Sequence, residues 1–151
     1  NVRGGGDMVS VRNQASGLLH VCRNPGVEAL LVAIETVAAD FCLCTIYRHP
    51  QSTRPQFRVA IADIFASIPS NSPAVLVGDL NDDQSTQNSE SSWIVDVLKD
   101  CGFVDEVIPS PTTDFGSTLD RVFCRNISIS SLAVTDCPFS DHDYLAFSVR
   151  V

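Results

Sequence analysis

The run Ala74-Val75-Leu76-Val77-Gly78-Asp79-Leu80-Asn81 constrains the chain more than any other stretch. Val75, Leu76 and Val77 are consecutive and β-branched or aliphatic, the pattern of a strand buried on both faces. Gly78 lets the backbone turn or closely approach another group. Asp79 and Asn81 emerge at the strand's C-terminal end, and in extended backbone they point to one side. A carboxylate beside a carboxamide can bind a metal, or hold a water and a phosphate oxygen. Taken alone, the plainer reading is stronger: an Asx turn that closes a core strand. Two later stretches change that balance.

The 151 residues suffice for one domain with a real core, and a composition 44% hydrophobic and 19% charged is that of a globular chain. No apolar run is long enough to span a bilayer and no basic-plus-apolar leader opens the sequence, so no membrane partner is expected. The formal net charge of −8 works against nonspecific binding of nucleic acid, which relies on Lys and Arg at phosphates. Cys22, Cys42, Cys44, Cys101 and Cys124 sit among apolar neighbours at irregular spacings. Buried free thiols explain them better than disulfides, and no Cys-x-x-Cys pair supports a structural zinc.

Taken in order, residues 7–12, 17–22, 27–37 and 41–47 read as strands, with Asn24-Pro25-Gly26 a hairpin turn. Consecutive strands with short turns imply an antiparallel meander. Residues 52–67 change period: Phe57, Ile61, Ile64, Phe65 and Ile68 fall at helical spacing, with Pro55 in the first turn. That helix feeds the strand ending at Asp79. Residues 82–92 are a polar loop, and Trp93, Ile94, Val97, Leu98 and Cys101 mark a second helix stopped by Gly102. Trp93 reads as a core anchor. Residues 109–116 are loop, residues 118–123 and 127–134 are strands, 138–141 a turn, and 144–151 a last alternating strand. The result is a mixed α/β layered domain.

The second informative stretch is Gly116-Ser117-Thr118-Leu119-Asp120-Arg121-Val122-Phe123. Asp120 stands in an otherwise apolar strand, and a buried carboxylate needs a partner. Arg121 would face the other way, which weakens a simple pairing of neighbours. The third stretch is Ser140-Asp141-His142-Asp143. Here Asp120 is available to bond a ring nitrogen of His142, orienting the ring and favouring its protonated form. A cationic His held by Asp can stabilise a phosphoryl oxygen or assist proton transfer.

The order Gly-Asp-x-Asn, then Leu-Asp in a strand, then Ser-Asp-His at the last strand resembles the endonuclease/exonuclease/phosphatase family. Tyr47-Arg48-x-Pro50 looks like the family's Tyr-containing strand end. Arg3-Gly4-Gly5-Gly6 before a strand looks like the Gly-rich entry of retroelement-type endonucleases. The resemblance covers essentially the whole chain, as the later part of a family domain. It implies an α/β fold in which a layered β-sandwich is flanked by helices, with residues 1–151 a single partial domain lacking the first strands. It further implies that Asp79, as general base, and Asn81 position the water nucleophile and the phosphate. Asp141, with Asp79, would hold a divalent metal, Mg²⁺ or Mn²⁺. His142, oriented by Asp120, would contact the scissile phosphate, and Tyr47 would add a hydroxyl. His20 and His49 match no family position and are expected at the surface; Arg48, Arg54 and Arg58 are expected on a solvated face, within reach of a phosphate backbone at most.

DNA is then the expected substrate, further domains of a larger polyprotein the expected company, and a nuclear setting follows for a retroelement origin. Two features depart from the pattern. The family's first strands carry an Asn and a metal-binding Glu that this sequence does not match, and Asp143-Tyr144 stands where a Pro is usual. This chain alone is therefore expected to be nearly inert beside an N-terminally extended parent. A noncatalytic remnant or interaction module of the same fold is the rival reading, and a small-molecule or lipid phosphatase is a third.

Overall fold

The computed structural model describes residues 9–10, 15–86 and 92–150. The Gly-rich entry at residues 3–6 and most of the strand expected over residues 7–12 lie outside them. Alternating apolar residues build β1 (Ala15–Asn24), β2 (Val27–Glu35) and β3 (Phe41–Arg48), which pair in sequence as the expected antiparallel meander. Gly26, at φ +86, makes the first hairpin turn.

The change of period after β3 gives α1 (Arg54–Phe65). Thr53 and Gln56 form a capping box at its start, with Pro55 in the first turn, so the orphan amide groups there are satisfied. Phe57, Ala60, Ile61 and Ile64 bury one face of this helix. The chain then enters β4 (Ala74–Asp79), which runs parallel to β3, as a helical crossover allows. A short 3₁₀ turn at Gln84–Thr86 interrupts the polar loop after β4. The second helix, α2 (Trp93–Asp100), is capped by Ser92 and ends before Gly102, at φ +81.

A two-residue strand, β5 (Val104–Asp105), was not legible in the sequence; β6 (Asp120–Arg125) lies between it and β4, antiparallel to both. The sheet order is β1-β2-β3-β4-β6-β5. The expected strand over residues 118–123 starts later, so Asp120 opens β6. Thr118 and Leu119 leave the ladder because Asp83 Oδ1 and Thr112 Oγ1 accept their backbone N–H groups. Strands β7 (Ser128–Thr135) and β8 (Tyr144–Arg150) form a separate antiparallel pair.

Three layers result. Both helices cover one face of the six-stranded sheet, around Cys44, Ile46, Phe57, Ile61, Leu76, Leu98 and Phe123. The β7–β8 pair covers part of the other face, over Val75, Val122 and Cys124. Val75, Leu76 and Ala74 are fully buried, as a central strand between two layers requires. None of the six cysteines forms a disulfide, and Cys22, Cys42, Cys44 and Cys124 are buried. Among the described residues no helix is long and apolar enough to cross a membrane.

Candidate active site

Strand register builds the site. Tyr47 on β3 is aligned with Asp79 on β4, and Asp79 with Asp120 on β6. Residues aligned across neighbouring strands share a face, so the three side chains form one row at one end of the sheet. All three are half-buried. The row lies on the face opposite Ile46 and Phe123, away from the helices.

His142 joins the row from the loop before β8. Its backbone bridges to Thr113 and its N–H donates to Ser140 Oγ at 3.0 Å. The ring presents Nδ1 to Asp120 Oδ2 at 2.8 Å and Nε2 towards Asp79 Oδ2 at 3.9 Å. Asp120 is itself anchored: Thr112 Oγ1 accepts from the N–H groups of Leu119 and Asp120 at 3.1 and 3.2 Å. Asn81 sits at φ +48 in the turn after β4, where its N–H donates to Asp79 Oδ1 at 2.8 Å. Asn is among the few residues that tolerate this left-handed geometry.

The structure thus brings Tyr47, Asp79, Asn81, Asp120 and His142 to one strand-end region. Asp141 lies at the rim, exposed, and its carbonyl accepts from Asp114 N–H at 3.1 Å. His20 lies elsewhere, beside Asp63, while exposed His49 reaches towards Glu28 and packs its ring edge-on against Tyr47, with ring centres 5.0 Å apart.

Burial pushes the Asp79 carboxyl above its ordinary range; the Asn81 N–H, and the charges of His142 and Arg48, offset only part of this, and the nearby Asp120 adds to it. For His142, burial pulls the imidazolium down. The hydrogen bond and charge of Asp120, with Asp79 and Asp141 behind it, outweigh that pull and leave it above its ordinary value. A raised folded-state pKa stabilises the fold fully below the unfolded value of 6.5, and the benefit fades as pH rises through the folded value. Urea unfolding should therefore show wild type losing stability as pH rises above the unfolded value of 6.5, with a smaller loss in Asp120→Asn. Equal losses in the two proteins would show that this pair does not carry the effect.

Arg48 differs from expectation. It is not on a solvated face but 5% exposed. Residues 42, 44, 46 and 48 share the helix-covered side of β3, and the period of two already placed Arg48 there. Its Nε donates to the Leu80 carbonyl at 2.5 Å and Nη2 to that of Asn81 at 2.8 Å. Arg54 and Arg58 are exposed, Arg58 pairing with Asp100. Arg121, 1% exposed, points away from Asp120 and pairs with Asp105, with Asp82 at 3.6 Å.

Sequence reasoning also passed over a second acidic group: Asp114, Asp136 and Asp143 bring ligand atoms within 4.8 Å of one another. Their spacing in sequence carries no ligand motif, so only the fold joins them. Phe115 and Phe139, 84% and 90% exposed, stand on the two loops that meet at Asp114 and Asp141.

A helix-backed mixed sheet thus carries carboxylates and an acid-held imidazole at one end. The chain belongs to the Endonuclease/Exonuclease/phosphatase family, whose model matches residues 3–142. The endonuclease domain of TRAS1, a telomere-specific non-LTR retrotransposon, is similar in structure, with TM-score 0.72 and 19% identity over 91% of this chain and 68% of that one. An endonuclease/exonuclease/phosphatase protein from Beutenbergia cavernae has TM-score 0.61 and 15% identity, over 93% of this chain and 45% of that one. TDP2 from D. rerio, complexed with a single-strand DNA product, has TM-score 0.59 and 16% identity, over 89% of this chain and 67% of that one. The chain thus spans 45 to 68% of the length of these three structures. No curated protein matches it in sequence.

Proposed function

We propose that this chain carries the base and imidazole part of a divalent-metal-dependent phosphodiesterase site, acting on nucleic acid as an endonuclease. The observation that carries the reading is His142 held at Nδ1 by Asp120 while Nε2 faces Asp79. An imidazolium fixed in that way suits a phosphoryl oxygen, and a half-buried carboxylate beside it suits a water. Water oxygen bonds to phosphorus as the ester P–O bond breaks; its proton passes to Asp79, and the leaving alkoxide is protonated from solvent. Tyr47, in register with Asp79, offers its hydroxyl to the phosphate.

The donor set fits a hard cation. Asp79 and Asp120 are aligned neighbours whose charges oppose one another, and carboxylate oxygens suit Mg²⁺ or Mn²⁺. Asp79 and Asp141 would hold it, and it would supply charge neutralisation at the phosphate.

Exposed Phe115 and Phe139 support a polymeric substrate, since each offers an aromatic face on which a base can stack. The net charge of −8 favours the second reading, a small-molecule phosphatase. The test assays the protein on supercoiled plasmid, a single-stranded oligonucleotide and a chromogenic phosphodiester, with Mg²⁺, Mn²⁺ or EDTA. Metal-stimulated nicking is expected, weak for residues 1–151 because the family's Asn and metal-binding Glu have no match among them. Turnover of phosphomonoesters alone would favour the phosphatase, and no metal-stimulated turnover of any substrate would favour a noncatalytic module of this fold.

A further inference from the structure

We propose that Arg48 is a positioning residue of this site, clamping the turn after β4 so that Asn81 is held beside the Asp79 carboxylate. The inference rests on the hydrolase reading above for its catalytic consequence, but its geometry stands alone.

The clamp works in both directions. Arg48 Nη2 donates to the Asn81 carbonyl at 2.8 Å, and the Arg48 carbonyl accepts from Asn81 Nδ2 at 2.7 Å. Nε takes the Leu80 carbonyl at 2.5 Å, and Nη1 takes those of His49 and Ser52 at 3.2 Å each. One guanidinium therefore joins the end of β3 to the turn after β4. Trp93, the first residue of α2, lies 5.5 Å beneath it and is braced edge-on by Phe57 of α1.

The orientation of the Asn81 carboxamide against Arg48 follows from hydrogen-bond chemistry. A carboxamide's oxygen and nitrogen are distinguished by their partners. The Arg48 carbonyl can only accept, so the atom 2.7 Å from it is the nitrogen. The same nitrogen is directed at Asp79 Oδ2, at 3.4 Å, an acceptor when ionised. The carbonyl that fixes the nitrogen belongs to the main chain, which any residue at position 48 keeps, so the guanidinium acts one step removed: its bonds to the Leu80 and Asn81 carbonyls hold the turn within reach of that carbonyl. Without them the turn is free to draw Asn81 away from the Arg48 carbonyl and from Asp79.

The test uses wild type, Arg48→Lys and Arg48→Met. In ¹⁵N NMR spectra, assigned with Asn81→Ala, the wild-type Asn81 Nδ2 protons should exchange more slowly than those of exposed asparagines, and this protection should be lost in Arg48→Lys. At temperatures well below melting, kcat should fall about a hundredfold in Arg48→Lys, with KM within about threefold. A purely structural Arg48 would lower the melting temperature and leave kcat intact, which overturns the proposal. So does a wild-type Asn81 amide that exchanges like an exposed one, or one unchanged in Arg48→Lys. If neither variant folds, the wild-type amide signal decides the orientation. Folded wild type without metal-stimulated turnover overturns the hydrolase reading, and the clamp is then judged on the amide signal alone.

Discussion

Replacing His142 by alanine is expected to lower metal-dependent phosphodiester cleavage about a thousandfold, with little change in KM. The ring is held at Nδ1 by Asp120, so Nε2 is the atom available to a phosphoryl oxygen. Charge on that oxygen grows as the bond to phosphorus changes, and a fixed cation stabilises the transition state more than the bound substrate. His142 is about a third exposed, so its loss leaves no large cavity. The comparison is steady-state kinetics on the chromogenic phosphodiester, with melting temperatures measured alongside. A loss below about tenfold in a folded variant would remove His142 from the chemistry.

Gly78→Ala is expected to destabilise the fold by about 3 kcal/mol or more, a fall of roughly 6 to 12 °C in melting temperature. Gly78 sits at φ +152 in β4, and a Cβ there would stand 1.9 Å from the Ile46 carbonyl oxygen and 2.9 Å from its carbon. The obstacle is backbone of the neighbouring strand, which cannot rotate aside. The strands β3 and β4 would have to part beside Tyr47 and Asp79, so activity should fall even where the protein still folds. Gly116→Ala is the control: φ is +81, but nothing lies within 4 Å of the added carbon. It should cost about 1 kcal/mol from backbone strain alone. Equal melting temperatures for the two variants would refute the steric argument.

The strands and helices were legible because each period has a single physical cause. Alternation marked the meander over residues 17–47, and the helical spacing of Phe57, Ile61 and Ile64 marked α1. The family was legible from three short motifs in order. β5 was not, because two residues cannot establish a period. Arg48 shows a different limit. Its side of β3 followed from alternation, but its charge argued for solvent, and only the fold brings together the carbonyls of His49, Ser52, Leu80 and Asn81 that make its burial tolerable. The grouping of Asp114, Asp136 and Asp143 depends on loops whose meeting no local pattern encodes. Thr112 likewise gave no signal, although it is fully buried and fixes the backbone of Asp120.

The alignment of Tyr47, Asp79 and Asp120 also determines which changes of length the gene can accept. A strand alternates its faces, so one residue inserted within β3, β4 or β6 would carry its member of the row to the helix-covered side. No point substitution elsewhere could restore it. At the sheet's edge β1 already contains an irregularity, between Leu18 and His20, and Arg23 beyond it still lies opposite Glu28. Gains and losses of single codons among related sequences should therefore collect in β1 and in residues 36–40, while the three central strands keep a constant length even where their side chains diverge freely.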